Sequence, residues 1–340
     1  MSAAAFLFLK LESLARRFPA LEKLLKGSGT FIGLDVGSSS VKGVLLSRRP
    51  EGFALTKSST VSLPSSADQE AKSRVMKEVL GVLDSGKVPV ATAVSGAGSV
   101  LRSVLLPKMT PQELKTALSF EAEKHIPFKL EEAFLDSCIM GDRPGGRMEI
   151  FLAAARRELV NAHLELLGAA GVVPRIIDVE AAALANAWEV SHPTEIVSQS
   201  VALLHMGARG TILNFYSGSI LQFTREIPYG GEFLKWGPED RAGDAQSALQ
   251  PRLEEWLAQC RSSFDFYENQ FGHGVERLFL SGGAAGLTGL APWLKEATGL
   301  PTDFWDPLAG LVVSSDHTPQ EKPGLSLGVA VGLAVRGLSG

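Results

Sequence analysis

The 340-residue sequence predicts an α/β fold built from two similar halves. Apolar strand-like runs alternate with helical patterns along the whole chain, which is the signature of that class. Each half opens with an apolar strand, a Gly-bearing turn and a second apolar strand, a hairpin pattern. A further Gly-rich turn, SGGAAG at 281–286, again follows an apolar strand.

In chain order, AAAFLFLKLESLARRFPALEKLLK places Phe8, Leu11, Leu14, Phe18, Leu21 and Leu25 on one helical stripe, which Pro19 interrupts. Lys10, Arg16, Arg17, Lys23 and Lys26 against Glu12 and Glu22 leave a surplus of three positive charges. The charge order and cleavage site of a signal peptide are missing, so the extension over residues 1–27 is expected to be retained. It reads either as a helix lying on an anionic membrane surface through residues 1–26 or as one docked on its own domain or on a partner. Next, GTFIGLDVGSSSVKGVLLS is a hairpin. Val88 to Val94 is a β-branched strand that ends in Ser95-Gly96. Thr110, Pro111 and Glu113 form a capping box with proline at the first helical position, so a helix starts there and ends before Pro127. MEIFLAAA is a strand, RRELVNAHLELLGAAG a helix closed by Gly171, and PRIIDVEAAALANAWEV a strand running into an Ala-rich helix. The first domain ends near Pro193.

The second half repeats the opening. Val201 to Leu204 runs into Gly207 and Gly210 and returns through Thr211 to Tyr216. Superposing Asp35-Val36-Gly37 on His205-Met206-Gly207 aligns Ser40 with Gly210 and Val41 with Thr211. In PRLEEWLAQCRSSFDFYENQF, residues Leu253, Trp256, Leu257, Cys260, Phe264, Tyr267 and Phe271 keep a helical period and form a core stripe. RLFLSGGAAGLTGLAPWLKEATGLP then reads strand, turn, helix, and PGLSLGVAVGLAVRGL is a small-residue helix suited to close packing.

Composition removes several functions. With 33 Lys and Arg against 37 Asp and Glu, the net charge of -4 offers no basic field for a phosphate backbone, so nucleic acid is not the partner. Hydrophobic residues at 45% and charged residues at 21% exclude disorder, collagen and coiled coil. No apolar run reaches the ~18 residues of a membrane-spanning helix. Cys138 and Cys260 stand far apart, as buried thiols in a reducing compartment do, which points to the cytoplasm. The six histidines show no paired metal spacing, there is no GxxxxGK[ST] loop, and VSGAGS lacks the leading glycine of a nucleophile elbow. Neither a direct metal site nor a nucleophile is assigned.

Chemistry concentrates in the Gly-rich turns 35–42, 205–210 and 281–286. Successive backbone N–H groups in such turns make a nest for phosphate oxygens, and a carboxylate beside the turn can hold a hydrated Mg²⁺. Asp35 and Lys42 supply that carboxylate and a cation. Any one of these turns alone is a tight hairpin; three in matching places point to phosphate.

The ordered set GLDVGSSSVK, LLPKMTPQELKTALSFEAEKHIPF, DVEAAALANAWE, REIPYGGEF, SFDFYENQFG, LFLSGGAAGLTGLAPWL and GVAVGLAVRGL, over roughly residues 29 to 338, resembles the PilM family. These are cytoplasmic actin-like proteins of type IV pilus assembly, related to the division protein FtsA. The resemblance implies an actin-like ATPase fold, with two ribonuclease H-like lobes around a nucleotide cleft. Lobe one covers 28–193, with a small subdomain inserted at about 97–172, and lobe two covers 194–340. It carries the first phosphate loop to Asp35, Gly37, Ser38, Ser39, Ser40 and Lys42, the second to Gly207, Ala208 and Gly210, and the adenosine turn to Gly282, Gly283 and Ala284. ATP and Mg²⁺ are the implied cofactors, the metal held through water at Asp35. Glu180 falls at the first interlobe connection, where the wider superfamily orients the attacking water; the plain alternative is a charge at a helix N-terminus.

Two departures bear on activity. Relatives open the second phosphate loop with Asp where this chain has His205, and an imidazole does not serve a magnesium-bound water shell as a carboxylate does, so hydrolysis should be weak or absent. KWGPEDRAGDAQSALQ replaces a longer helical segment that faces the nucleoside, leaving Glu232 and Lys235 as stand-ins. The resemblance further implies a scaffold near the inner membrane that works with other pilus-platform proteins and the assembly motor. It would grip the cytoplasmic N-terminal tail of a PilN-like membrane protein in a groove between lobe one and its insertion. Phe120, Ile126, Pro127 and Phe128 are candidate contributors there, with core packing as the alternative for each. A different class, a catalytically active ATPase or sugar-kinase-like enzyme of the same superfold, is the second reading. A related secretion or division component that uses its N-terminus as a membrane attachment is the third.

Overall fold

The computed structural model describes residues 29–339 apart from 65, 85, 193–198, 235–243 and 314–323. The N-terminal extension, Lys235 and the expected boundary at Pro193 lie outside the described residues. Two sheets share one plan. In the first, β1 (Thr30–Val36) pairs antiparallel with β2 (Ser40–Arg49), which pairs antiparallel with β3 (Gly52–Ser62). On its other side β1 runs parallel to β4 (Val90–Val94), and β4 parallel to β8 (Ile176–Val179). The short β14 (Val312–Val313) adds to the β3 edge.

The second sheet repeats this order. There β9 (Ser200–Met206), β10 (Thr211–Ser217) and β11 (Ile220–Ile227) form the antiparallel meander. On the other side of β9, the strands β12 (Arg277–Ser281) and β13 (Thr302–Phe304) run parallel to it. Strand orders 3-2-1-4-8 and 11-10-9-12-13 therefore superpose, as the paired hairpins predicted.

A third sheet, β5-β7-β6, is formed by β5 (Ser99–Pro107), β6 (Ala133–Arg143) and β7 (Arg147–Arg156). One face carries α2 (Pro111–Ala122), whose capping box is present in full: Thr110 accepts from the Glu113 N–H, and the Glu113 carboxylate accepts from the Thr110 N–H at 2.7 Å. Leu101, Cys138, Phe151, Ala153 and Ala155 on this sheet belong to the same core as lobe one. The following helix, α3 (Arg157–Ala169), leaves the small sheet: its Leu167, with Ala170 and Val172, packs beside β1, β4 and α1 (Gln69–Val82).

Two helices bind the halves. The Ala-rich α4 (Glu180–Ser191) is buried over Ala182 to Trp188, and Trp188 stacks on Tyr216 of the second sheet at 4.8 Å. The C-terminal α8 (Gly328–Ser339) returns to lobe one and lies on β1 and α4. Small residues make this approach possible: a Cβ on Gly33 would sit 1.8 Å from the Ala330 carbonyl oxygen, and one on Gly332 would sit 1.7 Å from that of Ala183. On the far face of the second sheet, α6 (Asp244–Phe271) buries Leu253, Trp256, Leu257, Cys260 and Tyr267, with Phe264 and Phe271 packed alongside. The two cysteines are free and buried. Among the described residues no helix is long and apolar enough to cross a membrane.

These contacts set a stability test. Gly332→Ala must push α8 off α4 and is expected to cost about 3 kcal/mol, whereas Gly81→Ala, with nothing within 4 Å of the new methyl, should gain roughly 0.5 kcal/mol from helix propensity. Chemical denaturation of both variants checks this; equal stability would mean that α8 is not clamped where its glycines place it.

Candidate functional site

The two hairpin turns are closed identically. The Gly37 N–H donates to the Ser40 carbonyl at 3.0 Å and the Gly207 N–H to the Gly210 carbonyl at 2.9 Å, so the alignment of Asp35 with His205 is also a structural equivalence. Both turns line one cleft of about 1060 Å³, to which Gly37, Ser38, Ser39, Gly207, Ala208 and Gly210 all contribute. Ser40 is not on its wall; its carbonyl anchors the turn.

The strand ends that lead into the two turns differ in charge. Asp35 is buried, and its carboxylate accepts from the Lys42 ammonium, its cross-strand partner, at 2.9 Å. In the equivalent places stand His205 and Ile212. The Ser281 hydroxyl donates its single proton to the Leu325 carbonyl at 2.9 Å, so at 3.1 Å from His205 Nδ1 it can only accept. That assigns the proton of the neutral ring to Nδ1 and leaves Nε2 as an acceptor. Burial, reinforced by the Lys42 charge, pushes the imidazole down to about 4. The second loop therefore offers an uncharged acceptor where the first offers a carboxylate.

Glu180 opens α4 and faces the same cleft. Burial, then the negative charge of Asp35, raises its carboxyl above the ordinary range, against the opposing pull of the Ser95 hydroxyl and Lys42. Glu226, at the end of β11, accepts the Gly96 N–H and brings a third carboxylate to the wall. Asp35 and Glu180 thus bring oxygen donors together beside Lys42, a set suited to a hydrated divalent cation, with the turns and Lys42 suited to phosphate. Among the described residues no three His, Cys, Asp or Glu side chains are placed to ligate a metal directly.

The third turn lies elsewhere. Gly282, Gly283 and Ala284 do not line the cleft wall. The Ala284 N–H donates to the Met206 carbonyl at 3.1 Å, and the Gly231 N–H to that of Gly207 at 3.0 Å. The turn thus stacks behind the second loop and the short α5 (Gly231–Leu234). On α5, Glu232 is engaged with Arg209 at 3.5 Å. The four groove candidates also separate: Phe120 is 72% exposed on α2, Ile126 is buried in the core of the small sheet, Phe128 packs on that core under the Arg156 guanidinium, and Pro127 reaches the cleft.

Several residues of the site are not among the candidates read from the sequence: Ser95, Arg102, Arg225, Glu226 and Ser281. Period-two alternation puts Arg102 and Arg225 on strands, yet only the meeting of β5 with β11 brings both to one cleft.

Two lobes of equivalent topology, paired turns at the mouth of one cleft and a small sheet inserted in the first lobe define an actin-like ATPase fold. The model of the type IV pilus assembly protein PilM family matches residues 33–236 and 238–338. The chain belongs to this family and is an actin-like protein of type IV pilus assembly. It is similar to a solved PilM-PilN type IV pilus biogenesis complex, with 27% identity, a TM-score of 0.77, and 91% of this chain and 98% of that chain covered. Ethanolamine utilization protein EutJ from Carboxydothermus hydrogenoformans (13% identity, TM-score 0.47, 96% and 99% covered) is a more distant likeness. So is the cytoplasmic domain of EpsL, an inner-membrane component of the Vibrio cholerae type II secretion system (12%, TM-score 0.46, 92% and 95%).

The state of His205 has a measurable consequence. Folded, it stays neutral down to about pH 4, whereas an ordinary histidine takes its proton near 6.5, so stability is lost as pH falls through that window. His205→Asn should remove this loss, gaining on the wild type by up to about 3 kcal/mol between pH 7 and pH 4 in denaturation experiments. A pH-independent difference would mean that the ring is not held neutral.

Proposed function

We propose that the chain is a nucleotide-responsive scaffold of the pilus machinery. ATP with Mg²⁺ binds between the two phosphate turns and is hydrolysed weakly or not at all. Asp35 and Glu180 would hold the hydrated metal, while Lys42 and the N–H groups of residues 38–39 and 208–209 would hold phosphate. The single observation behind the weak turnover is the neutral, buried His205 in the position of Asp35. With a neutral acceptor at position 205, the second loop itself adds no carboxylate to those of Asp35 and Glu180 around the metal's water shell.

The partner in this reading is the cytoplasmic N-terminal tail of a PilN-like inner-membrane protein. The 27% identity to the chain in the PilM-PilN complex, over 91% of this sequence, supports it. Attachment to that tail would hold the protein at the inner membrane, where it couples the platform to the assembly motor. A second reading as an active ATPase is favoured by one observation, the raised proton affinity of Glu180 beside Asp35, which suits a general base.

Titration with a fluorescent ATP analogue and Mg²⁺ separates these readings. Saturable binding that weakens at least tenfold in Asp35→Ala, negligible wild-type turnover and a gain in His205→Asp are expected; brisk wild-type hydrolysis would overturn the scaffold reading. For the partner, a PilN-tail peptide should bind the wild type and lose about tenfold in Phe120→Ala with stability unchanged. Ile126→Ala should instead cost about 3 kcal/mol of stability. Equal peptide affinity in wild type and Phe120→Ala would remove Phe120 from the groove.

A further inference from the structure

Beyond the phosphate turns the cleft has a second arm, between the edge strand β5 of the inserted sheet and the edge strand β11 of the second lobe. Two guanidiniums enter it. Arg102, half-buried, donates only to main-chain carbonyls, that of Leu101 at 3.3 Å and that of Thr224 at 3.5 Å. Arg225 donates to Gln259 Oε1 at 3.0 Å and Ser262 Oγ at 3.3 Å. Every acceptor is neutral, and among the described residues no carboxylate pairs with either group. The two charges also lie close enough to repel, which together with burial lowers the proton affinity of Arg102.

Glu226 follows Arg225 but projects from the opposite face of β11. Its carboxylate lies near the second phosphate turn: a Cβ on Gly210 would be 3.7 Å from Glu226 Oε1. The arm is therefore electrostatically distinct from the acidic end of the cleft. Its wall also carries Phe223 and Phe266, with ring centroids 4.8 Å apart, and Phe266 is 49% exposed. A cleft of about 1060 Å³ exceeds the usual small-molecule pocket of roughly 300–1,000 Å³, leaving room for a ligand beside a nucleotide.

Forked donors on a half-buried, like-charged pair are suited to bidentate recognition of an oxyanion, and an exposed ring beside them to a flat apolar group. We propose that this arm binds the phosphate or carboxylate of a small ligand whose flat apolar portion lies on Phe266. The proposal does not rest on nucleotide binding at the turns.

The test is calorimetric titration of the full chain with inorganic phosphate and, separately, with benzoate. At least one should bind saturably, tenfold or more weaker in Arg102→Gln and in Arg225→Gln and unchanged in the surface variant Lys77→Ala, with Phe266→Ala weakening benzoate alone. The probe that binds identifies the anion. Thermal midpoints report folding, and if a Gln variant unfolds, Arg102→Lys, which keeps the charge but loses the fork, should still weaken binding. Absence of binding by both anions would overturn the proposal. Binding retained at wild-type strength in both arginine variants would do so too, by placing the anion elsewhere.

Discussion

The approach of α8 to β1 and α4 at backbone distance is the constraint on which the rest of the structure depends. β1 carries Asp35 one residue before its end and α4 begins with Glu180, so the helix that touches both elements fixes the separation of two acidic groups in the cleft. Only glycine leaves room: Gly33 faces Ala330 and Gly332 faces Ala183 with no space for a methyl. Dispersion and burial along this seam, from Ala182 to Trp188 and from Val329 to Val335, hold the halves together. Trp188 extends the seam into the second lobe, where its ring meets Tyr216, Phe279 and Trp305.

Duplication of a fold does not oblige duplication of chemistry. The two turns share a hydrogen bond, a strand pairing and a position, yet one presents Asp35 bonded to Lys42 and the other a neutral imidazole beside Ile212. The imidazole costs little to bury because Ser281 and Leu325 take up its proton in a short relay. A carboxylate at position 205 would join Asp35, Glu180 and Glu226 around one lysine, and in this cleft that extra charge would need a bound cation to be tolerated.

What was legible in the sequence follows the range of the interactions involved. Turns, caps and amphipathic stripes are local, so Gly37, Gly207, Thr110 with Glu113 and the stripe from Leu253 to Phe271 could be placed from neighbours alone. The β3 strand was not anticipated: GFALTKSSTVS alternates weakly and interleaves Lys57, Ser58 and Ser59 among few apolar residues, yet it is held by ten pairings to β2. Nor was the destination of Gly282–Ala284 readable, because whether a turn faces a cleft or backs onto a neighbouring loop depends on α5 and β9, far away in sequence. Arg102 and Arg225, at positions 102 and 225, meet only because two edge strands from different sheets come together.

The inserted sheet is attached to both lobes through one apolar core: Leu101, Phe151 and Ala153 share it with Ala182 and Trp188 of lobe one and with Ile212, Tyr216 and Leu221 of lobe two. Polar ties across the cleft are added by a 3.5 Å bond from Arg102 to the Thr224 carbonyl and by the Gly96 N–H on Glu226. Each such bond nets about 1 kcal/mol, while one buried Phe such as Phe151 contributes roughly 2 to 3 kcal/mol. The sheet is therefore held chiefly by apolar burial, and the polar bonds of the β5–β11 edge add little to its attachment. That edge is where both the acidic end of the cleft and its arginine-lined arm are closed, so burial sets the position of the insertion and these few bonds the electrostatics of the cleft.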